Sequence, residues 1–339
     1  MIIKFKKNTL ENSLERLKNW LLNADIEFKE VILNGIVHII TSSGWKDVAA
    51  LADYREIIDT IIDFDTEYQI STRKYQQNNT VINLGDDLVF GANKTIMMAG
   101  PCAVESEDQV MRTAEFLSEK CNIKVFRAGA YKPRTSPYTF QGLEEKGLKI
   151  LDKVRNEFGM KIITEVKDNS HLDEVADCAD IIQIGTKSMY IFNLLSRCGR
   201  INKPVLLKRA FMATIKEFLQ AADFILSNGN PNVILCERGI RTFEPQTRFS
   251  LDVCSTALLK EISHLPIVLD PSHAMGRAAQ VPLVGQAAAA MEVDGLLIET
   301  HPNPSEAKSD KNQALSFEQF EKMMNKLKPI CKSIKRQLV

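Results

Sequence analysis

Hydrophobic and polar positions along the chain change period several times, and each change marks an element. Ile2–Phe5 is a short apolar run that reads as a strand. Leu10, Leu14, Leu17 and Leu21 then recur at helical spacing, with Thr9 placed to cap the helix start. Phe28–Leu33 and Ile36–Thr41 are β-rich runs on either side of Asn34-Gly35, the strongest short hairpin signal. Asp47–Tyr54 reads as a second helix and Ile57–Phe64 as a last strand. The order β-α-β-β-α-β over residues 1–70 is that of a small ferredoxin-like α+β domain. Its hairpin and two helices leave one sheet face exposed, a surface suited to pairing with a second such unit.

A polar stretch at Tyr75–Thr80 reads as linker, and the rhythm beyond it is different. Short apolar runs alternate with helix-length amphipathic stretches. The runs are Thr95–Ala99, Lys124–Ala128, Lys161–Glu165, Ile181–Gly185, Pro204–Lys208, Val233–Glu237, Pro266–Asp270 and Gly295–Glu299. Strand alternating with helix implies a parallel sheet, and eight such units match a closed (β/α)8 TIM barrel over residues 95–339. An open doubly wound sheet fits less well, because no G-x-G-x-x-G follows the first strand. Within residues 71–94, Val81–Leu84 and Leu88–Gly91 are placed to form a hairpin closing the barrel's bottom.

Composition then removes whole classes of function. The chain has 339 residues, 45% hydrophobic and 25% charged, an ordinary globular mix. Lys plus Arg and Asp plus Glu both total 43, so there is no basic excess for nucleic acid. No uncharged apolar run is long enough to span a membrane, and Met1–Lys7 has no signal-peptide pattern. Seven cysteines without a C-x-x-C pair suggest reduced thiols and a cytoplasmic protein.

Catalytic groups of a barrel come from the C-terminal ends of its strands. Here all eight ends carry charged or metal-binding side chains. Arg127, Lys132, Arg134, Lys187, Lys208 and Arg238 make a convergent cationic set, which calls for phosphate and carboxylate ligands. Cys102, His273, Glu299 and Asp310 supply sulfur, nitrogen and two oxygens. That mixture suits one divalent ion such as Mn, Fe, Co or Zn better than Mg or Ca. Taken singly, a strand-end cysteine is more often core, and a histidine or lysine more often a structural partner. Their shared position at one face carries the functional reading.

The motifs themselves are AGPCAVES (99–106), FRAGAYKPRTSPYTFQGL (126–143), IIQIGTK (181–187), KPVLLKRAF (203–211), ILCERGIRTFE (234–244), LPIVLDPSHAMGR (265–277) and HPNPSEAKSD (301–310). Together they resemble the 3-deoxy-D-arabino-heptulosonate-7-phosphate (DAHP) synthases of type Iβ, which carry an N-terminal ferredoxin-like regulatory domain. The resemblance implies condensation of phosphoenolpyruvate with erythrose 4-phosphate, the first step of the shikimate pathway. It makes Cys102, His273, Glu299 and Asp310 the metal ligands, and Lys132, Cys102 and His273 the catalytic core. Arg127, Lys132, Lys208 and Arg238 fall on positions that hold phosphoenolpyruvate, and Arg134 and Thr135 on those that hold the sugar phosphate. Lys187 departs from the pattern, since the family commonly has arginine there. Glu165 is a candidate for activating the attacking water. The resemblance further implies a homodimer or homotetramer, inhibited by tyrosine or phenylalanine held between regulatory domains of different subunits. Two rivals remain. One is 3-deoxy-D-manno-octulosonate 8-phosphate synthase, whose Lys-Ala-Asn-Arg-Ser-Ser pattern this chain replaces with KPRTSP at 132–137. The other is an inactive aromatic amino-acid sensor, disfavoured because all four ligand positions are filled.

Overall fold

The computed structural model describes residues 1–41, 45–133 and 136–339. Strand β1 (Ile2–Phe5), helix α1 (Glu11–Asn23) and strands β2 (Phe28–Leu33), β3 (Ile36–Thr41) and β4 (Ile58–Ile62) form the N-terminal unit. The sheet is antiparallel in the order β2-β3-β1-β4, which fits a ferredoxin-like fold. At the β2–β3 turn, Asn34 and Gly35 both have positive φ (53° and 73°), the conformation a type I′ turn requires.

Three expectations fail here, each for a physical reason. Helix α1 starts after Leu10, with no side-chain cap. The Thr9 hydroxyl instead donates to the Lys6 carbonyl (2.8 Å), the local turn bond that competes with capping. The second helix shrinks to a 3-10 segment, Ala49–Tyr54, in which only Leu51 is buried. So small an apolar face does not sustain a longer helix. Finally, the sheet has no bare face. Ile3, Phe5 and Ile39 pack with Leu14, Leu17 and Leu21 of α1, while Ile2, Val31, Leu33 and Ile62 join the core of the barrel. Paired isoleucines at 2–3, 39–40 and 61–62 load both faces with apolar side chains.

A hairpin of β5 (Ile82–Asn83) and β6 (Val89–Phe90) precedes eight parallel strands. These are β7 (Lys94–Gly100), β8 (Val125–Arg127), β9 (Lys161–Val166), β10 (Ile181–Ile184), β11 (Val205–Lys208), β12 (Val233–Glu237), β13 (Ile267–Leu269) and β14 (Gly295–Glu299). They pair in sequence order, and β14 returns to β7 in register Gly295↔Ile96 through Glu299↔Gly100, closing a (β/α)8 barrel. Around it run α2 (Glu107–Glu115), α3 (Glu145–Phe158), α4 (Leu172–Cys178), α5 (Phe192–Cys198), α6 (Ile215–Leu226), α7 (Val253–Ile262), α8 (Pro271–Met275), α9 (Val281–Ala290) and α10 (Phe317–Ser333). None of the described helices is long and apolar enough to cross a membrane. A strand absent from the sequence expectation, β15 (Gln337–Leu338), pairs with the start of β7. The lower half of the barrel interior is apolar, and Ile82, Leu88 and Phe90 of the hairpin region seal it.

The two units are tied by polar contacts as well as by core. Asp223 on α6 accepts the backbone N–H groups of Gln69 (2.5 Å) and Ser71 (2.8 Å). The Tyr75 hydroxyl lies 3.1 Å from Nε2 of the buried His38. His264 donates from Nε2 to the Ile70 carbonyl and accepts at Nδ1 from the Thr80 hydroxyl.

Candidate active site

The C-terminal strand ends bring four ligand-capable side chains together. One atom each from Cys102, His273, Glu299 and Asp310 lies within 4.8 Å of all the others. His273 is set by α8, where Asp270 is the N-cap, accepting the His273 N–H (3.0 Å), and Pro271 opens the helix. Asp270 Oδ2 takes a 2.5 Å hydrogen bond from the Lys208 ammonium and lies 2.7 Å from His273 Nδ1. The latter is a close electrostatic contact. It turns Nε2 toward Glu299 Oε1 (3.2 Å) and Asp310 Oδ2 (3.8 Å). Cys102 Sγ sits 3.2 Å from Asp310 Oδ2 and 3.0 Å from the Lys132 ammonium.

Electrostatics mark this cluster as unusual. Burial, with Glu299 adding to it, pushes the Cys102 thiol up to about 12. Burial also lowers His273, although Asp270 and Glu299 pull it the other way. For Asp310 and Glu299 burial is the largest influence and acts upward, but the surrounding charges together outweigh it, His273 first, then Arg248 at Asp310 and Arg127 at Glu299. Both carboxyls are held below their usual range. One buried and one half-buried carboxylate, a thiol and an imidazole form a donor set that a soft or borderline cation satisfies.

Beside the cluster lies a cavity of about 150 Å³ lined by Lys132, Lys187, Lys208, Arg238 and Glu165. Lys132 donates to the Cys102 carbonyl (3.1 Å) and Lys187 to the Pro133 carbonyl (2.9 Å). Arg238 differs from them. Its guanidinium is buried over the Phe249 ring, 4.2 Å from the centroid, and Nε and Nη1 have no hydrogen-bond partner among the described residues. Glu165 accepts from the Gln183 amide (2.9 Å), and a Cβ at Gly185 would lie 1.9 Å from its Oε1. Only glycine at 185 lets that carboxylate face the cavity. A larger cavity of about 660 Å³, between the N-terminal sheet and α5–α6, has no such gathering of cations.

Not every predicted residue lines the cavity. Arg127 lies behind the cluster, donating to Glu299 Oε1 at 2.7 Å. Arg134 and Thr135 lie outside the described residues. Glu237, at the end of β12, faces Arg209 rather than the cavity, in a buried network completed by Asp252. Two participants escaped the sequence reading. Arg248 donates to Asp310 Oδ1 (3.1 Å) and to Gln313 Oε1 (2.6 Å), and the Gln313 amide donates to Glu299 Oε2 (2.5 Å). They join loops after different strands, so no local spacing points to them. Asp270 was within reach, because Asp-Pro-x-His is an N-cap pattern that aims the histidine.

The chain was compared with known proteins. Residues 67–335 match the DAHP synthetase I family. The phospho-2-dehydro-3-deoxyheptonate aldolase of Thermotoga maritima is 42% identical over 337 residues, 98% of each chain. A 2-dehydro-3-deoxyphosphooctonate aldolase of Acidithiobacillus ferrooxidans is 31% identical over 258 residues, 71% of this chain and 91% of that one. The crystal structure of the Thermotoga maritima DAHP synthase superposes with a TM-score of 0.80 at 39% identity, covering 100% of this chain and 99% of the other.

Proposed function

Since the chain belongs to the DAHP synthetase I family, we infer that its barrel condenses phosphoenolpyruvate with erythrose 4-phosphate and water, giving DAHP and phosphate. The observation that carries this reading is the buried guanidinium of Arg238, two of whose nitrogens have no partner among the described residues, in one cavity with Lys132, Lys187 and Lys208. Buried polar groups without partners are costly, and a phosphate or carboxylate on the ligand satisfies this one.

The donor set fits the metal this family uses: an imidazole, two carboxyls and a thiol that a cation would deprotonate. Cys102, His273, Glu299 and Asp310 would hold one ion of the Mn, Fe, Co or Zn kind, which when bound supplies Lewis-acid polarisation of the aldehyde oxygen. The chain's own groups do the rest. Asp270 fixes the His273 ring so that Nε2 faces the other donors. As C3 of phosphoenolpyruvate attacks the aldehyde carbon, Lys132 donates a proton to the forming alkoxide. Glu165 takes a proton from the water that adds at C2. Lys187, Lys208 and Arg238 hold the phosphate and neutralise its charge as the C–O bond breaks. Arg127 buttresses Glu299 and the phosphoenolpyruvate side of the site, while Arg134 and Thr135 take the sugar phosphate.

Phosphate release, measured with phosphoenolpyruvate and either erythrose 4-phosphate or arabinose 5-phosphate, tests the reading. Turnover with the tetrose, abolished by EDTA and restored by Mn²⁺, is expected. Preference for the pentose overturns the substrate and supports the octulosonate alternative. Undiminished turnover after exhaustive chelation overturns the metal.

The same reading extends to residues 1–70 as a regulatory domain that answers to tyrosine or phenylalanine within a homodimer or homotetramer. The polar ties from Asp223 and Tyr75 support a mechanical link between sheet and barrel. Intact enzyme that ignores both amino acids at millimolar concentration overturns it. Seven free thiols support a reducing, cytoplasmic setting.

A further inference from the structure

We propose that Glu105 is a positioning residue for the metal site, holding Asp310 in place through the backbone of Lys308. The proposal rests on the reading of Cys102, His273, Glu299 and Asp310 as the ligands. Three of those four are on or close to regular structure: Cys102 lies two positions past the end of β7, His273 is on α8 and Glu299 ends β14. Asp310 is not. It lies in the segment between β14 and α10, at φ 53°, a left-handed turn position that aspartate tolerates and that belongs to no strand or helix.

Glu105 supplies a restraint from the neighbouring loop, because β7 and β14 are paired along the closing seam of the barrel. It lies beyond β7, is 8% exposed, and its Oε1 accepts the Lys308 N–H at 2.9 Å. Its Oε2 faces His301 Nε2 at 3.6 Å. The tautomer of His301 follows from its other nitrogen, which accepts the Asn303 N–H (3.1 Å), so Nε2 carries the proton. That N–H is buried with no hydrogen-bond partner among the described residues, and Glu105 is the acceptor it faces. Glu105 therefore stands between two turns of one loop, the His301–Asn303 turn and the Lys308 backbone. Neither Glu105 nor His301 touches the cavity lined by the cations. Supporting groups behind metal ligands set affinity by fixing where the ligands point.

Two pairs of variants test this from both ends of the hydrogen bond. Glu105→Ala removes the acceptor, whereas Glu105→Gln keeps an oxygen for Lys308. Lys308→Pro removes the donor, and Ala307 already has the extended φ −58°, ψ 131° that a following proline demands. Lys308→Ala removes only the ammonium, which lies over the Phe140 ring. Mn²⁺ and Co²⁺ affinities are measured by chelator competition, with the thiolate-to-cobalt absorption as a spectroscopic readout. Glu105→Ala and Lys308→Pro should bind about 10- to 100-fold more weakly. Glu105→Gln and Lys308→Ala should stay within about threefold of the parent chain. If Glu105→Ala does not fold, the Lys308 pair decides. Unchanged affinity in Glu105→Ala and Lys308→Pro overturns the proposal, as does a Glu105→Gln loss equal to that of alanine. Cys102→Ala in the same assay separates the two claims. If it too binds metal like the parent, the ligand assignment has failed; if it loses metal while Glu105→Ala does not, only the positioning role has.

Discussion

Arg209 and Arg238 stand one position past the end of β11 and β12 respectively, both buried and both close to acids, and they are opposites. Arg209 donates to Glu237, Asp252 and the Ala213 carbonyl, so its charge is matched within the chain. Arg238 leans on Phe249 and leaves two nitrogens without a partner among the described residues. A charge matched internally holds loops together. A charge left unmatched at a cavity is matched by a ligand. The same contrast separates the two ends of the barrel, where an apolar plug below needs nothing from solution and a charged mouth above is incomplete alone.

Removing the internal partners should cost the most. Arg209→Met leaves Glu237 buried without its partner, and should lower folding stability by about 3–5 kcal/mol in urea unfolding. Phe90→Ala, at the sealed bottom, should cost about 3–5 kcal/mol with kcat/KM per folded molecule unchanged. If either variant keeps parental stability while losing activity, the division between structural and ligand-binding groups is wrong.

Arg238→Met should behave in the reverse sense. It removes a charge that burial already disfavours, so stability should hold or rise. The KM for phosphoenolpyruvate should rise about 10- to 100-fold, the ~1.5–3 kcal/mol of a hydrogen bond to a charged group. A variant destabilised like Arg209→Met, with KM unmoved, would make Arg238 a structural residue.

The junction below the barrel has its own pH signature. Burial lowers His264 from 6.5 to about 4, so the folded chain keeps it neutral while the unfolded chain protonates it. Stability from this group is present above pH 6.5 and is lost as pH falls toward 4. Between pH 7.5 and 5 the loss should be about 2 kcal/mol, and it should vanish from the difference curve of His264→Gln. An equal acid loss in that variant would assign the effect elsewhere.

How much of this was legible in the sequence follows from where each interaction is encoded. Barrel strands were readable because each is a buried apolar run bounded by turn residues. Ligand positions were readable because strand ends in a barrel share one face. What escaped depends on contacts between distant segments. Arg248 and Gln313 meet only after β12 and β14 are neighbours through β13, and the second face of the N-terminal sheet is covered only because the barrel lies against it. Arg209 and Arg238 look alike in sequence, and their roles separate only when partners can be seen.

The smallest effect concerns Lys187, where the resemblance expects arginine. It sits on the 3-10 turn Thr186–Ser188 after β10, lines the cavity with Arg238, and its ammonium donates to the Pro133 carbonyl. An ammonium is a point donor that can serve a phosphate oxygen and a carbonyl in turn, whereas a guanidinium presents a planar fork to two oxygens at once. Lys187→Arg should therefore lower the KM for phosphoenolpyruvate roughly two- to fivefold, about 0.5–1 kcal/mol for one added net hydrogen bond. Lys187→Ala should raise it by at least as much. The contact with Pro133 gives the alternative its own readout, because Pro133 leads directly into Arg134 and Thr135. If Lys187 serves that loop instead, both substitutions should move the KM for erythrose 4-phosphate and leave that for phosphoenolpyruvate where it is.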